Sequence, residues 1–125
     1  MLQTLRRDSV VVSFAFDPAA NKAMPLWRAP KACIIKRATV SSAFTLAAAT
    51  ANYFTVNLLN GGTAGTATTA IGGTAGGTAG WTALTEKTLI TSDTSLAAGA
   101  WVVANYVEAG TGTFQQMTIQ VDYEF

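Results

Sequence analysis

Two segments of the chain place apolar residues at every second position, and this spacing limits the fold more than any other feature of the sequence. In VVVSFAF (10–16) apolar residues occupy every even position, and in MTIQVDYEF (117–125) they occupy every odd position. A period of two sends successive side chains to opposite faces of a β-strand. Both segments are therefore predicted to be strands that bury one face in a core.

Four further segments are rich in β-branched and aromatic residues and are bounded by Gly, Pro, Asn, Asp or Ser. They are ACIIKRATV (32–40), NYFTVNLLN (52–60), KTLIT (87–91) and AWVVANYVEA (100–109). Strands at this spacing predict an all-β fold, either an antiparallel β-sandwich or a jelly-roll-like barrel. Helix evidence is limited to SSAFTLAAATAN (41–52), which is expected to form at most one short helix or turn, or a strand followed by a loop.

The whole chain, residues 1–125, is predicted to be one domain with one hydrophobic core, because its length is typical of a single domain. The core residues follow from the strand patterns. They are Phe14, Phe16, Ile34, Phe54, Val56, Leu58, Trp101, Val103, Ile119 and Val121.

A Gly-rich run, residues 61–80, interrupts the strand pattern. Its motif GGTAG occurs at Gly61–Gly65, Gly72–Gly76 and Gly76–Gly80. The run has neither the lysine of a phosphate-binding loop nor a dinucleotide-binding fingerprint. It is interpreted as a hairpin that projects beyond the sandwich onto a neighbouring subunit, or as an exposed loop. Since Ile71 is its only large apolar residue, the run is expected to add little to the core.

The residue types that most often carry catalysis or bind metals are scarce. The sequence has no histidine and one cysteine, Cys33, which lies in an apolar segment and is expected to be a small buried residue. The carboxylates are dispersed, so no catalytic, cofactor-binding or metal-binding residue and no enzyme activity is predicted. The sequence pI of about 7.9 does not suggest nucleic-acid binding. The sequence also lacks an apolar segment long enough to cross a membrane.

Low charge points to a chain that associates with other subunits. Only 12% of the residues are charged and the net charge is +1, which gives a free surface little self-repulsion. An Ala- and Thr-rich monomer is the alternative. The candidate contact residues lie in an N-terminal arm (1–8), in a stiff connection between Pro25 and Pro30, and in or next to the Gly-rich run. They are Leu2, Leu5, Arg6, Arg7, Trp27, Arg28, Ile71 and Trp81.

The tryptophans allow further interpretations. Trp27 either covers the open end of the core or docks into another subunit, for which Trp and Arg are favoured residues. Trp101 lies in an apolar strand and is assigned to the core. Trp81 directly follows the Gly-rich run and is the better candidate for stacking on a sugar ring in a carbohydrate-binding module.

The order of segments resembles a family of small virion proteins. VVVSFAFDPAANKAMPLWRAPKACIIKRATV, NYFTVNLLNGG, WTALTEKTLI, LAAGAWVVANYVEAGTGT and MTIQVDYEF together are similar to the capsid decoration, or cement, proteins of tailed bacteriophages. The similarity covers most of the chain, rests on strand and turn patterns, and transfers no functional residue.

The resemblance has consequences for fold, partner and location. It implies a β-sandwich that is made in the host cytoplasm and binds the major capsid protein on the outer surface of the virion head. It also implies a symmetric homo-oligomer, with a trimer favoured, and no cofactor. A fibre or tail component is an alternative with the same expected fold.

Overall fold

Nine β-strands make up most of the residues that the computed structural model describes, which are 7–14, 22–66, 69–110 and 116–125. These ranges contain no helix. In chain order the strands are β1 Arg7–Phe14, β2 Lys22–Arg28, β3 Cys33–Ser42, β4 Tyr53–Asn60, β5 Thr69–Gly76, β6 Lys87–Ile90, β7 Thr94–Leu96, β8 Trp101–Ala109 and β9 Met117–Glu124.

The strands form two antiparallel sheets that pack as a sandwich, which confirms the predicted fold class. Sheet A has the order β1-β9-β3-β6, and β7 also pairs with β3. Sheet B has the order β2-β8-β4-β5. The three-residue strand β7 was not predicted, because a segment this short shows no recognisable alternation.

The core lies between the sheets and contains most of the predicted residues. Phe54, Val56, Leu58, Ile119 and Val121 are buried there, and Val103 is buried on the outer face of sheet B. Phe14 is half-buried against the core, and Phe16 lies outside the described residues. Trp101 is half-buried on the outer face of sheet B, so its assignment to the core is wrong. The prediction for Ile34 is wrong, since its side chain is 39% exposed. β3 instead turns Cys33 and Ile35 toward the core.

Of the predictions for two segments outside the clear strand patterns, one is confirmed and the other is wrong. Residues 43–52 form bends and a single bridge between Leu46 and Trp81, so the prediction of at most a short helix or turn is confirmed. The segment around Pro25 is not a connection but part of β2, with a register shift between Pro25 and Trp27. β2 is an edge strand, where a residue without an N–H group is tolerated.

The Gly-rich run is part of sheet B, and the prediction that it projects as an arm is wrong. After a turn at 62–65, β5 returns antiparallel to β4, so the hairpin interpretation is confirmed. Ile71 and Ala75 are buried in the core of the same chain. The run therefore contributes to the fold, contrary to the expectation from its single large apolar residue.

A close approach between the two sheets explains why the run needs glycine. β5, at the edge of sheet B, contacts β6, at the edge of sheet A. A Cβ atom at Gly72 would lie 2.3 Å from the carbonyl oxygen of Leu89 and 2.6 Å from Cγ1 of Ile90. Gly72 also has a φ of +76°, which strains any residue with a side chain. The sandwich thus closes on this side through a position that only glycine fits.

Cys33 provides a first test of the core. The thiol is buried, as predicted, and burial raises its pKa. Because the thiolate is the reactive form, alkylation of the native protein at neutral pH is expected to be slower than in denaturant. We expect a difference of about a hundred-fold or more, since a core strand must open first. Alkylation quenched at timed intervals and followed by mass spectrometry measures the rates in native buffer and in denaturant. Similar rates would contradict the burial of Cys33.

Candidate interaction surface

The described residues offer no enclosed site for a small ligand. They contain no pocket and no cluster of three or more metal-ligating side chains. None of their elements is a helix long and apolar enough to span a membrane. The surfaces of the two sheets are therefore the features to compare.

The outer face of sheet B lacks charge over most of its extent, and we call this surface the uncharged face. In β4 the inward residues are Phe54, Val56 and Leu58, so the alternate positions point outward. Cross-strand pairing places each of them opposite an outward residue of β8. The described residues of the uncharged face on β4, β5 and β8 are Tyr53, Thr55, Asn57, Leu59, Ala70, Thr74, Gly76, Trp101, Val103, Asn105, Val107 and Ala109.

A pair of amides lies at the centre of the uncharged face. Asn57 and Asn105 are direct cross-strand neighbours, and Nδ2 of Asn105 donates a hydrogen bond to Oδ1 of Asn57 at 3.0 Å. The next outward-facing pair along the sheet is Thr55 and Val107. Val107 is 37% exposed. The centre of this face is thus a patch of neutral groups that can be buried without desolvating an ion.

The turn after β4 covers the end of the uncharged face that carries Trp101 and Val103. The amide nitrogen of Gly61 donates to the carbonyl oxygen of Trp101. A Cβ at Gly61 would lie 3.1 Å from side-chain atoms of Trp101 and of Val103. This contact leaves Val103 only 2% exposed although it points away from the core. The open part of the uncharged face is therefore the part around Tyr53, Asn57, Asn105 and Val107.

Sheet A has a different surface, on which charged groups are paired. Asp122 accepts hydrogen bonds from Oγ of Ser9 at 2.6 Å and from Nε2 of Gln120 at 2.9 Å. Ion pairs join Lys36 to Asp93 and Arg37 to Glu86. The sandwich consequently has one charged side and one side that is nearly free of charge.

Trp27 and Arg28 lie at the β2 edge of sheet B. The ring of Trp27 stacks on Tyr123, with ring centroids 4.4 Å apart. This contact between the sheets matches the interpretation in which Trp27 covers the end of the core. Arg28 is exposed, and its Nε donates to the carbonyl oxygen of Gly99 at 3.1 Å. It pairs with Trp101, which places this cation at one end of the uncharged face.

Ile71 and Trp81 are buried within the chain, so their assignment to a contact surface is wrong. Trp81 is 3% exposed, and its ring stacks with Phe54 at a centroid distance of 5.5 Å. Nζ of Lys87 lies 5.1 Å from the Trp81 ring centroid. Sugar stacking requires an exposed ring face, which Trp81 does not have. The predicted contact residues are therefore not brought together in one site.

Four predicted contacts belong to the N-terminal arm. Leu2, Leu5 and Arg6 lie outside the described residues. The backbone of Arg7 begins β1 and pairs with Glu124. Their proposed role as subunit contacts stays a prediction.

Sequence reasoning missed the uncharged face, although a signal for it was present. The outward positions of β9 carry Thr118, Gln120, Asp122 and Glu124, as a solvated strand face normally does. The outward positions of β4 and β8 carry no charged residue. Comparing the polar positions of different strands, and not only the apolar ones, identifies this face.

Comparisons with known proteins give weak similarity. No protein-family model matches the chain, and no curated protein sequence matches it. The chain is similar to a solved structure of infectious bursal disease virus, Gx strain, at 13% identity and a TM-score of 0.33, covering 98% of this chain and 41% of that one. For the Gt strain the identity is 12% and the TM-score 0.28, covering 96% and 42%. The chain thus spans less than half the length of these proteins, and scores of this size carry no argument about function.

Proposed function

We propose that this chain is a structural protein of a virion that binds the outer surface of a phage head and stabilises the shell. The observation that carries the proposal is the uncharged face of sheet B. The proposal assigns the protein a binding role and no catalytic role. Its partner is the major capsid protein, as the resemblance to decoration proteins implies.

The composition of the uncharged face supports a role as a contact surface. The centres of protein interfaces are depleted of charged residues and enriched in aromatic ones. Tyr53, Val107 and the Asn57–Asn105 pair meet this description. The amide groups can exchange hydrogen bonds with a partner at the interface, so burying them costs little if they are paired.

The charged side of the sandwich supports one orientation on the shell. With the uncharged face against the capsid, the ion pairs Lys36–Asp93 and Arg37–Glu86 stay in water, where they need no desolvation. The opposite orientation would bury these charges.

A cement protein stabilises a shell when it bridges shell subunits that are correctly placed. Each contact needs only a standard interface of about 800 Å² per partner. Because the second contact of a bridging protein is intramolecular, its effective concentration is high. A symmetric oligomer multiplies this effect.

The test of the proposal is a charge placed on the uncharged face. Val107→Lys is expected to weaken binding to phage heads at least about ten-fold, since burying an unpaired charge costs more than the 1.4 kcal/mol that corresponds to that factor. Heads from a phage that lacks the gene for this chain are mixed with the protein, and the bound fraction is measured by co-sedimentation.

The matched control is Thr88→Lys, which adds the same charge to an exposed position of β6 in sheet A. This variant is expected to bind heads like the wild type. Equal binding of both variants would exclude the uncharged face as the contact surface. Co-sedimentation of the wild type with purified tails but not with heads would favour the tail or fibre alternative.

A further inference from the structure

We infer that β1 is a pairing edge for a second copy of this chain, so that sheet A continues across a two-fold axis at Val11. This inference does not rest on the proposed function, because it concerns the free protein in solution. It rests on the edges of the two sheets and on the sequence of β1.

Within the described residues, β1 differs from the other edge strands in having no feature that blocks pairing. Natural sheets protect their edges with proline, bulges, short strands or a covering element. β2 contains Pro25 and a register shift, and β5 lies against β6. β6 and β7 have four and three residues. β1 has eight residues, ends sheet A, and pairs with β9 in an uninterrupted register.

The sequence of β1 is self-complementary. Residues 9–13 read SVVVS in both directions, with Val11 at the centre. In an antiparallel pair about Val11, Val11 faces itself, Val10 faces Val12, and Ser9 faces Ser13. An isologous interface requires this kind of match, because the same surface serves both copies.

The same register also keeps the two faces of the sheet continuous. Val10 and Val12 are both half-buried and pair with the buried Val121 and Ile119 of β9, so they meet on the inner face. Ser9, Val11 and Ser13 are exposed on the outer face. A register shifted by one residue would place inner residues opposite outer ones.

The side chains around Val11 present no electrostatic obstacle to pairing. Residues 9–14 contain no charged residue, so like charges do not meet at the axis. Oγ of Ser9 donates to Asp122, and the hydroxyl groups of Ser13 and Thr118 lie 3.0 Å apart. These bonds hold both serines on the outer face. Between them Val11 is 59% exposed, and the valine of a second copy would cover it.

Light scattering after size-exclusion chromatography tests the inference. The wild-type chain is expected to have twice the 13.0 kDa mass of one chain. Val11→Lys places two ammonium groups opposite each other, and like charges on facing strands destabilise the pair. Val11→Glu does the same with two carboxylates. Each variant alone is expected to have the mass of one chain.

An equimolar mixture of Val11→Lys and Val11→Glu is expected to restore the doubled mass, because opposite charges then face each other. This recovery would not occur if either variant were misfolded. Thr88→Lys, which adds a lysine at an exposed position of β6, at the other edge of sheet A, is expected to keep the doubled mass. A wild-type mass of one or three chains, or a mixture that stays at the mass of one chain, would overturn the inference.

Discussion

Replacing Gly72 by alanine is expected to destabilise the protein strongly. The backbone at Gly72 has a φ of +76°, which costs a residue with a Cβ about 1–2 kcal/mol. The new Cβ would also lie 2.3 Å from the carbonyl oxygen of Leu89. Moving strands apart to relieve such overpacking costs about 1–3 kcal/mol more. Urea unfolding of the variant measures the loss, which we expect to be about 2–5 kcal/mol.

Gly77→Ala is the matched control for this experiment. Gly77 also has a positive φ, +97°, but a Cβ at this position would meet nothing within 4 Å. The control therefore contains the backbone strain without the clash, and we expect it to lose about 1–2 kcal/mol. If both variants lose the same free energy of unfolding, the approach of β5 to β6 does not depend on Gly72.

Replacing Phe54 by alanine is expected to remove about 3–5 kcal/mol from the free energy of unfolding, as is typical of a buried aromatic residue. The Phe54 ring packs between Trp81 and Tyr106, with centroid distances of 5.5 Å and 5.6 Å. Its loss leaves a cavity between β4 and the loop that carries Trp81. Since a domain of this size has a total stability of about 5–15 kcal/mol, the variant is expected to be partly unfolded at 37 °C.

Thr55→Ala tests whether the effect comes from the inward side of β4. Thr55 is the next residue of the same strand, and its side chain lies on the uncharged face. A surface change of this kind is expected to alter stability by about 0.5 kcal/mol or less. Thermal unfolding followed by circular dichroism compares the two variants. A similar loss in both would contradict the assignment of Phe54 to the core.

Strand prediction succeeded where the pattern is local. The alternation in β9 comes from neighbouring residues whose side chains leave a pleated strand on opposite sides. It identified Ile119 and Val121 as buried, and the structure confirms both. It failed at Ile34, because two adjacent isoleucines fit either register. The pairing of Cys33 with Leu96 and of Ile35 with Thr94 goes with the register in which Ile34 points outward.

The prediction of contact residues was less successful than the prediction of strands, because it required knowing which side chains stay exposed after the sheets have packed. Trp81 is an apolar residue beside a Gly-rich run, and its sequence context is equally typical of a surface aromatic residue. Its burial arises from contacts with Phe54 and Lys87. Phe54 is distant from Trp81 in the sequence, whereas Lys87 is close to it. The uncharged face likewise exists only because β4 and β8 are neighbours in sheet B.

The sequence by itself determined that this chain forms antiparallel strands with one apolar face each, because side-chain alternation is a property of a single strand. Only the tertiary structure decided what the Gly-rich run does. Its residues carry too little apolar surface to show a preferred face, so their position depends on contacts with β4 and β6. The need for glycine at position 72 arises from the carbonyl group of Leu89, and no pattern within the run contains that information.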